Sequence, residues 1–230
     1  MCTSIVVNRG KPVIGWNLDL LDMAHRVRPA ADGVFIDVLD EKEGWMPLFG
    51  ANARGDFVGM PTCWPFDARS DPAGDGESIL LLDMDLLAQR KTLQQIRDIA
   101  LRRPVYSVPG LTFMGALSDG EGNVLHLIPG QGCRYCEKPD YRILTNFSPF
   151  KGDSERHPWM GWDRYQTAQA MLERASGGFG AEDCFAVLRA TAQEVCPTVV
   201  SMVFDVRQRT VHWCENRNWD DIRTVKLDPA

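Results

Sequence analysis

The stretch Met1-Cys2-Thr3-Ser4-Ile5-Val6-Val7 decides how this chain is read. Its β-branched run predicts a strand that starts at once. Its cysteine stands directly behind the initiator methionine. Trimming that methionine, which small second residues permit, would leave a thiol and a free amine on one Cα. The thiol has a reference pKa of about 8.5 and the α-amine of about 7.7–8.0. Proton transfer from sulfur to nitrogen is then nearly balanced at neutral pH, and no catalytic histidine is required. The plainer alternative is that Cys2 is a small apolar residue opening a strand. The rest of the chain favours the chemical reading.

Outward from that strand the first third is β-rich. Residues 3–8, 12–17 and 33–39 read as strands, the first pair split by the turn signal Asn8-Arg9-Gly10-Lys11. Residues 48–52 and 56–62 follow, and 67–77 is a loop rich in Asp, Gly and Pro. Helices are predicted over 79–89 and from Thr92, where Thr92-Leu93-Gln94-Gln95 is a capping box and Arg102-Arg103-Pro104 is the stop. A meander of strands at 111–118, 123–128, 132–137 and 141–145 comes next, then helices near 162–174 and 182–195, then a closing hairpin at 198–206 and 210–214. Strands and helices come in blocks. That pattern predicts antiparallel sheets covered by helix pairs, an α+β layer arrangement, within one domain over residues 1–230.

Composition narrows the function classes. The 230 residues carry 44% hydrophobic and 24% charged side chains, ordinary globular values. A net charge of −6 with scattered basic residues argues against a nucleic-acid partner. No run of about 18 apolar residues predicts a membrane span, and a strand starting at position 2 leaves no room for a leader. Seven cysteines, an odd and thinly spread set, point to a reduced, cytoplasmic compartment. Cys133-Arg134-Tyr135-Cys136 is a lone CxxC between strand-like runs; His126 and His157 do not complete a zinc pattern, so a structural role is expected and neither metal nor cofactor.

Five motifs then occur in order: the opening Cys-Thr-Ser-Ile-Val, Gly15-Trp16-Asn17-Leu18-Asp19, Asn52-Ala53-Arg54-Gly55, Leu144-Thr145-Asn146, and Asp163-Arg164-Tyr165, with the hairpin from Thr198 to Asp205 behind them. In this the chain resembles the choloylglycine hydrolase and acid ceramidase group of N-terminal-nucleophile (Ntn) amidohydrolases, over nearly its whole length. The resemblance implies a four-layer αββα sandwich and cleavage of a linear N-acyl amide through a thioester on Cys2. It implies that Cys2 is the nucleophile, that Asp19 orients its α-amine, that Asn146 is an oxyanion-hole donor and that Arg164 holds active-site polar groups. Trp16, Asn17, Met60 and Thr62 are the expected substrate-binding residues, and Trp16, Phe57, Met60, Trp64 and Phe66 could line an apolar acyl pocket or build core.

Two departures from the family pattern matter. A second oxyanion donor, an asparagine in relatives, falls at Pro61 or Thr62, so a backbone N–H near Thr62 or Cys63 would have to serve. Trp16 stands where most relatives have an arginine that favours thiolate. Arg26 or Arg54 then substitutes, or the thiol works at a higher pKa, or turnover is lost and the chain is a binding protein of the same fold. Acyl transfer through the same thioester is a further alternative. The partner implied is a small N-acyl amide, and the family admits homo-oligomers.

Overall fold

The computed structural model describes residues 1–64, 74–175 and 177–228. Strands β1 (Cys2–Val7), β2 (Val13–Asp19), β3 (His25–Ala30), β4 (Gly33–Asp40), β5 (Gly44–Asn52), β6 (Phe57–Gly59) and β7 (Glu77–Ser78) precede helices α1 (Ile79–Leu87) and α2 (Leu93–Ala100). Then come β8 (Val105–Tyr106), β9 (Gly115–Ser118), β10 (Val124–Ile128), β11 (Gly132–Cys136) and β12 (Tyr141–Leu144). Two short 3-10 turns, Asp153–Glu155 and Pro158–Met160, lead into α3 (Trp162–Arg174) and α4 (Ala181–Ala190). The hairpin β13 (Thr198–Asp205) and β14 (Thr210–Glu215) and the strand β15 (Arg223–Lys226) close the chain.

The strands form two large antiparallel sheets. One runs β12-β1-β2-β13-β14-β15 and the other β11-β10-β9-β6-β5-β4-β3. Helices α3 and α4 lie on the first sheet against β12, β2 and β13; α1 and α2 lie on the second against β5, β6, β9, β10 and β11. The order is therefore αββα, as the resemblance implied, with the antiparallel sheets and helix pairs that the block pattern predicted. Burial follows from this covering. Every residue of β1 and β2 is buried, because one face meets the opposite sheet and the other meets helices.

The period of two sorts these side chains. Ile5, Val7 and Val13 join Leu172, Val187 and Leu188 under the helices, whereas Cys2, Val6, Ile14, Trp16 and Leu18 enter the inter-sheet core. Trp16 stacks on Phe49 of the facing sheet with ring centroids 5.7 Å apart. Gly59 makes room for it: a Cβ there would lie 2.7 Å from the indole.

The Asn52–Gly55 turn also has a local cause. Asn52 Nδ2 donates to Asp56 Oδ2 and to the carbonyls of Leu86 and Leu87, so one amide ties the turn to the exposed end of α1. The Thr92 capping box forms as expected: Gln95 N–H donates to Thr92 Oγ1, and Thr92 N–H donates to Gln95 Oε1.

Several boundaries differ from the sequence reading. Strand β5 begins at Gly44, strand β6 is only three residues long, and α4 ends at Ala190 instead of reaching 195. The short parallel pair β7–β8 and the edge strands β3 and β15 were not anticipated. Of the loop expected at 67–77, residues 67–73 lie outside the described residues, as does Phe66. Among the described residues no helix is long and apolar enough to cross a membrane.

Candidate active site

Cys2 starts β1, an interior strand of the first sheet between the edge strand β12 and β2; it pairs with Leu18 on β2, and its side chain is buried. Two groups converge on it from distant segments. Its N–H donates to Asn146 Oδ1 at 3.0 Å. Arg164, from the first turn of α3, donates Nη1 to the Cys2 carbonyl at 2.6 Å and to Thr3 Oγ1 at 2.9 Å, and Nη2 to Asn146 Oδ1 at 2.7 Å. Two donors on Asn146 Oδ1 fix which way that amide points. Its Nδ2 consequently faces Thr62 and donates to both the Thr62 carbonyl and Oγ1 at 2.8 Å.

Asp19, at the end of β2, lies beside this group without touching Cys2 N. Its Oδ1 accepts from Thr198 Oγ1 at 2.6 Å, its Oδ2 accepts from Gln193 Nε2, and Arg164 Nη1 stands 3.8 Å from Oδ2. Its backbone carbonyl accepts from the Met1 amine at 3.0 Å, and that amine also reaches Cys196 Sγ at 3.6 Å. The expected division of labour is thus altered. With Met1 in place, Asn146 Oδ1 and not the Asp19 carboxylate receives the Cys2 nitrogen, because Asn17 and Asp19 point to the helix side of β2 while the Cys2 side chain points between the sheets.

Burial governs the protonation states. It pushes the Cys2 thiol up to about 11, although the Met1 ammonium and Arg164 pull the other way. Burial likewise raises Asp19 to about 6 against the opposing pull of Thr198, Arg164 and the chain terminus. The Met1 amine sits above its ordinary value: burial lowers it, but Cys2, Cys196 and Asp19 outweigh that.

The expected substrate-binding set divides. Thr62 meets Asn146 at the site. Trp16 is fully buried in the inter-sheet core, and its Nε1 has no hydrogen-bond partner. Asn17 is sealed on the helix side, where its Nδ2 donates to the Leu188 carbonyl and its Oδ1 accepts from Ser201 Oγ. Met60 and Phe57 are buried in the same core cluster as Trp16. These four are buried here. Trp64 lies nearer the surface, its ring 5.5 Å from that of the exposed Trp159.

Neither suggested replacement cation reaches the thiol. Arg26 pairs with Asp37 and covers the Trp45 ring, and Arg54 pairs with Asp56. Arg164 is the cation at this site. Of the backbone donors considered for the second oxyanion position, Cys63 N–H goes to the Thr112 carbonyl, which leaves Thr62 N–H. Cys133 and Cys136 leave opposite faces of β11 and are both free thiols. Sequence reading missed Thr3, Gln193, Thr198 and Cys196 as partners of the group: Thr3 and Thr198 lie in quoted motifs but had no role assigned, and Gln193 and Cys196, in the segment before β13, carry no motif signal. It also missed Gly161, whose φ of 82° and absent Cβ let Arg164 pass.

A sandwich of this layer order, with a cysteine opening a central strand, is the αββα fold of Ntn hydrolases. Solved structures sharing it include a mutant conjugated bile acid hydrolase from Clostridium perfringens, at a TM-score of 0.68 and 11% identity, covering 99% of this chain and 92% of that one. Penicillin V acylase from Agrobacterium tumefaciens is similar at a TM-score of 0.68 and 13% identity, covering 99% and 86%. The N-acylethanolamine-hydrolyzing acid amidase ortholog of Caenorhabditis elegans is similar at 0.62 and 17%, covering 99% and 100%. At such identities the likeness is one of fold. No family model and no curated protein matches the sequence.

Proposed function

We propose that this protein is a cysteine amidohydrolase that cleaves a linear N-acyl amide through a thioester on Cys2, once Met1 has been removed. The observation that carries the proposal is the convergence of Asn146 and Arg164 on a cysteine that opens a buried central strand. The hydrolase fold and the amide substrates named for the similar structures support it. Removal of Met1 turns the Cys2 amide nitrogen into a primary amine already within hydrogen-bond distance of Asn146 Oδ1.

The steps then balance on one residue. Cys2 Sγ attacks the carbonyl carbon while its proton passes to the Cys2 amine, and the carbonyl oxygen becomes an oxyanion. Asn146 Nδ2, on exchanging one of its two Thr62 bonds, and the Thr62 N–H are the donors for that oxygen, one such donor being worth about 2.7–4 kcal/mol. The C–N bond breaks as the amine returns its proton to the leaving nitrogen. Water attacks the thioester, gives its proton to the same amine, and the acid leaves with sulfur reprotonated. Arg164 positions Asn146 and the Cys2 carbonyl throughout.

Trp16 in place of a neighbouring cation, beside a thiol that burial already disfavours as thiolate with Met1 present, predicts a rate that climbs from neutrality to about pH 9. A flat or acid-favoured profile would contradict it. The same substitution keeps a second reading alive, a ligand-binding protein of this fold without turnover. The deciding experiment uses protein shown by intact mass to lack Met1, a panel of N-acyl p-nitroanilides, and iodoacetamide labelling. Turnover and labelling at Cys2, both lost in Cys2→Ala, are expected. Turnover that survives in Cys2→Ala refutes the mechanism; labelling of Cys2 without turnover on any substrate favours the binding protein.

A further inference from the structure

A cavity of about 170 Å³ lies at the open edge of the sandwich, where β11 and β12 bring the two sheets together. Arg134, Arg142, His126, Thr145, Phe147 and Tyr165 are among its lining. Strand register explains the gathering. Arg134 sits opposite His126 on the β10–β11 ladder, and Arg142 sits opposite Val6 on the inner face of β12. Arg142 precedes Asn146 by four residues, roughly 13 Å of extended chain, and Leu144 fills the interval with Cys63, Met114 and Ile128. Arg142 thus lies apart from the Cys2 group, while Leu144, Thr145 and Phe147 of the lining flank Asn146.

Among the described residues neither Arg134 nor Arg142 meets a carboxylate, in a protein whose net charge is −6. Arg142 donates Nε to Cys136 Sγ and Nη1 to the Tyr141 carbonyl, and Arg134 donates only Nη1, to the Pro149 carbonyl. Nearby carboxylates are engaged elsewhere: Asp140 by Arg9, and Glu173 by Tyr141 and Gln169. Burial and the two cations together drive His126 down to about 3, so it is a neutral ring at physiological pH. The Thr145 hydroxyl is fully buried and has no hydrogen-bond partner. An exposed Arg134 and a half-buried Arg142, with Arg156 also in the lining, a neutral imidazole and an orphaned hydroxyl between aromatic walls suit an oxyanion on an apolar body, since a guanidinium fork matches carboxylate and phosphate geometry.

We propose that this cavity binds a small organic oxyanion, a carboxylate or phosphate on an aromatic or aliphatic body, held by Arg134 and Arg142. The proposal does not depend on hydrolysis at Cys2. Thermal unfolding at constant ionic strength tests it, with inorganic phosphate, benzoate and chloride as the titrants. A saturable rise in Tm with phosphate or benzoate and not with chloride is expected, and the responding arm identifies the anion class. Arg134→Gln and Arg142→Gln each weaken the response by about tenfold, the cost of one charge-assisted contact. Arg134 is exposed, so its variant folds even if the other does not. Cys2→Ala leaves the response intact. A chloride effect equal to the others, full affinity in Arg134→Gln, or loss in Cys2→Ala overturns the proposal.

Discussion

Replacing Arg164 with Met is the sharpest test of how the site is built. The guanidinium is buried, 3.8 Å from Asp19, and satisfies the Cys2 carbonyl, Thr3 Oγ1 and Asn146 Oδ1. At an effective dielectric of about 20, a charge pair at that spacing is worth about 4 kcal/mol. Breaking a buried pair on one side costs about 3–5 kcal/mol, since a carboxylate is left without its cation. For a chain of this size that lowers Tm by roughly 10 °C. The loss has a pH signature. Asp19 titrates near 6, so below that it escapes by protonating, and the penalty grows between about pH 5.5 and 8.5. Denaturant unfolding of wild type, Arg164→Met, Asp19→Asn and the double variant closes a cycle. The double variant should be more stable than Arg164→Met alone. A Tm loss below about 3 °C, or an equal loss with Asp19 already neutral, refutes the ion-pair reasoning.

Asp19 alone makes a second prediction. Its folded pKa lies above its unfolded one, so the native state holds the extra proton. Its stabilising share is complete below about 3.8 and is lost as pH rises to about 6, some 3 kcal/mol in all. Unfolding of Asp19→Asn should gain on wild type across that window and run parallel outside it. Gly59→Ala sets a methyl 2.7 Å from an indole clamped by Phe49, and calorimetry should find about 1–3 kcal/mol of destabilisation. In a kinetic assay Asn146→Ala should lower kcat by roughly 10²–10³. Thr62→Val, which removes only one acceptor from Asn146 Nδ2, should change it far less.

What the sequence disclosed and what it hid have different physical causes. Helix α3 was bounded correctly at Trp162 and Arg174, and the Thr92 cap was located, because local hydrogen bonding and periodicity act over a few residues. The antiparallel sheets with their helix pairs followed from blocks of elements, and the four-layer order from the resemblance. Edge strands β3 and β15 escaped, being polar and exposed on many positions, with no alternation to read. Helix α4 stops early because the segment before β13 turns to lay Gln193 and Thr198 against Asp19, a long-range bond that no local pattern carries. Cys2, Asp19, Asn146 and Arg164 gather as the motif order implied. Facing direction did not come with them. Trp16 and Asn17 adjoin in sequence yet leave β2 on opposite faces, so neither could be judged a pocket residue before the sheet was known.

The buried start of β1 bears on when processing can happen. Met1 is half-covered, with its amine tied to the Asp19 carbonyl and the Cys196 sulfur, and the next peptide is clamped by Arg164. An aminopeptidase must draw such a terminus into its own cleft, and once the central ladder has zipped there is no slack to give. Excision, where it occurs, belongs to the nascent chain. Slow trimming or rapid folding would divide one translation product into a competent pool and a permanently blocked one.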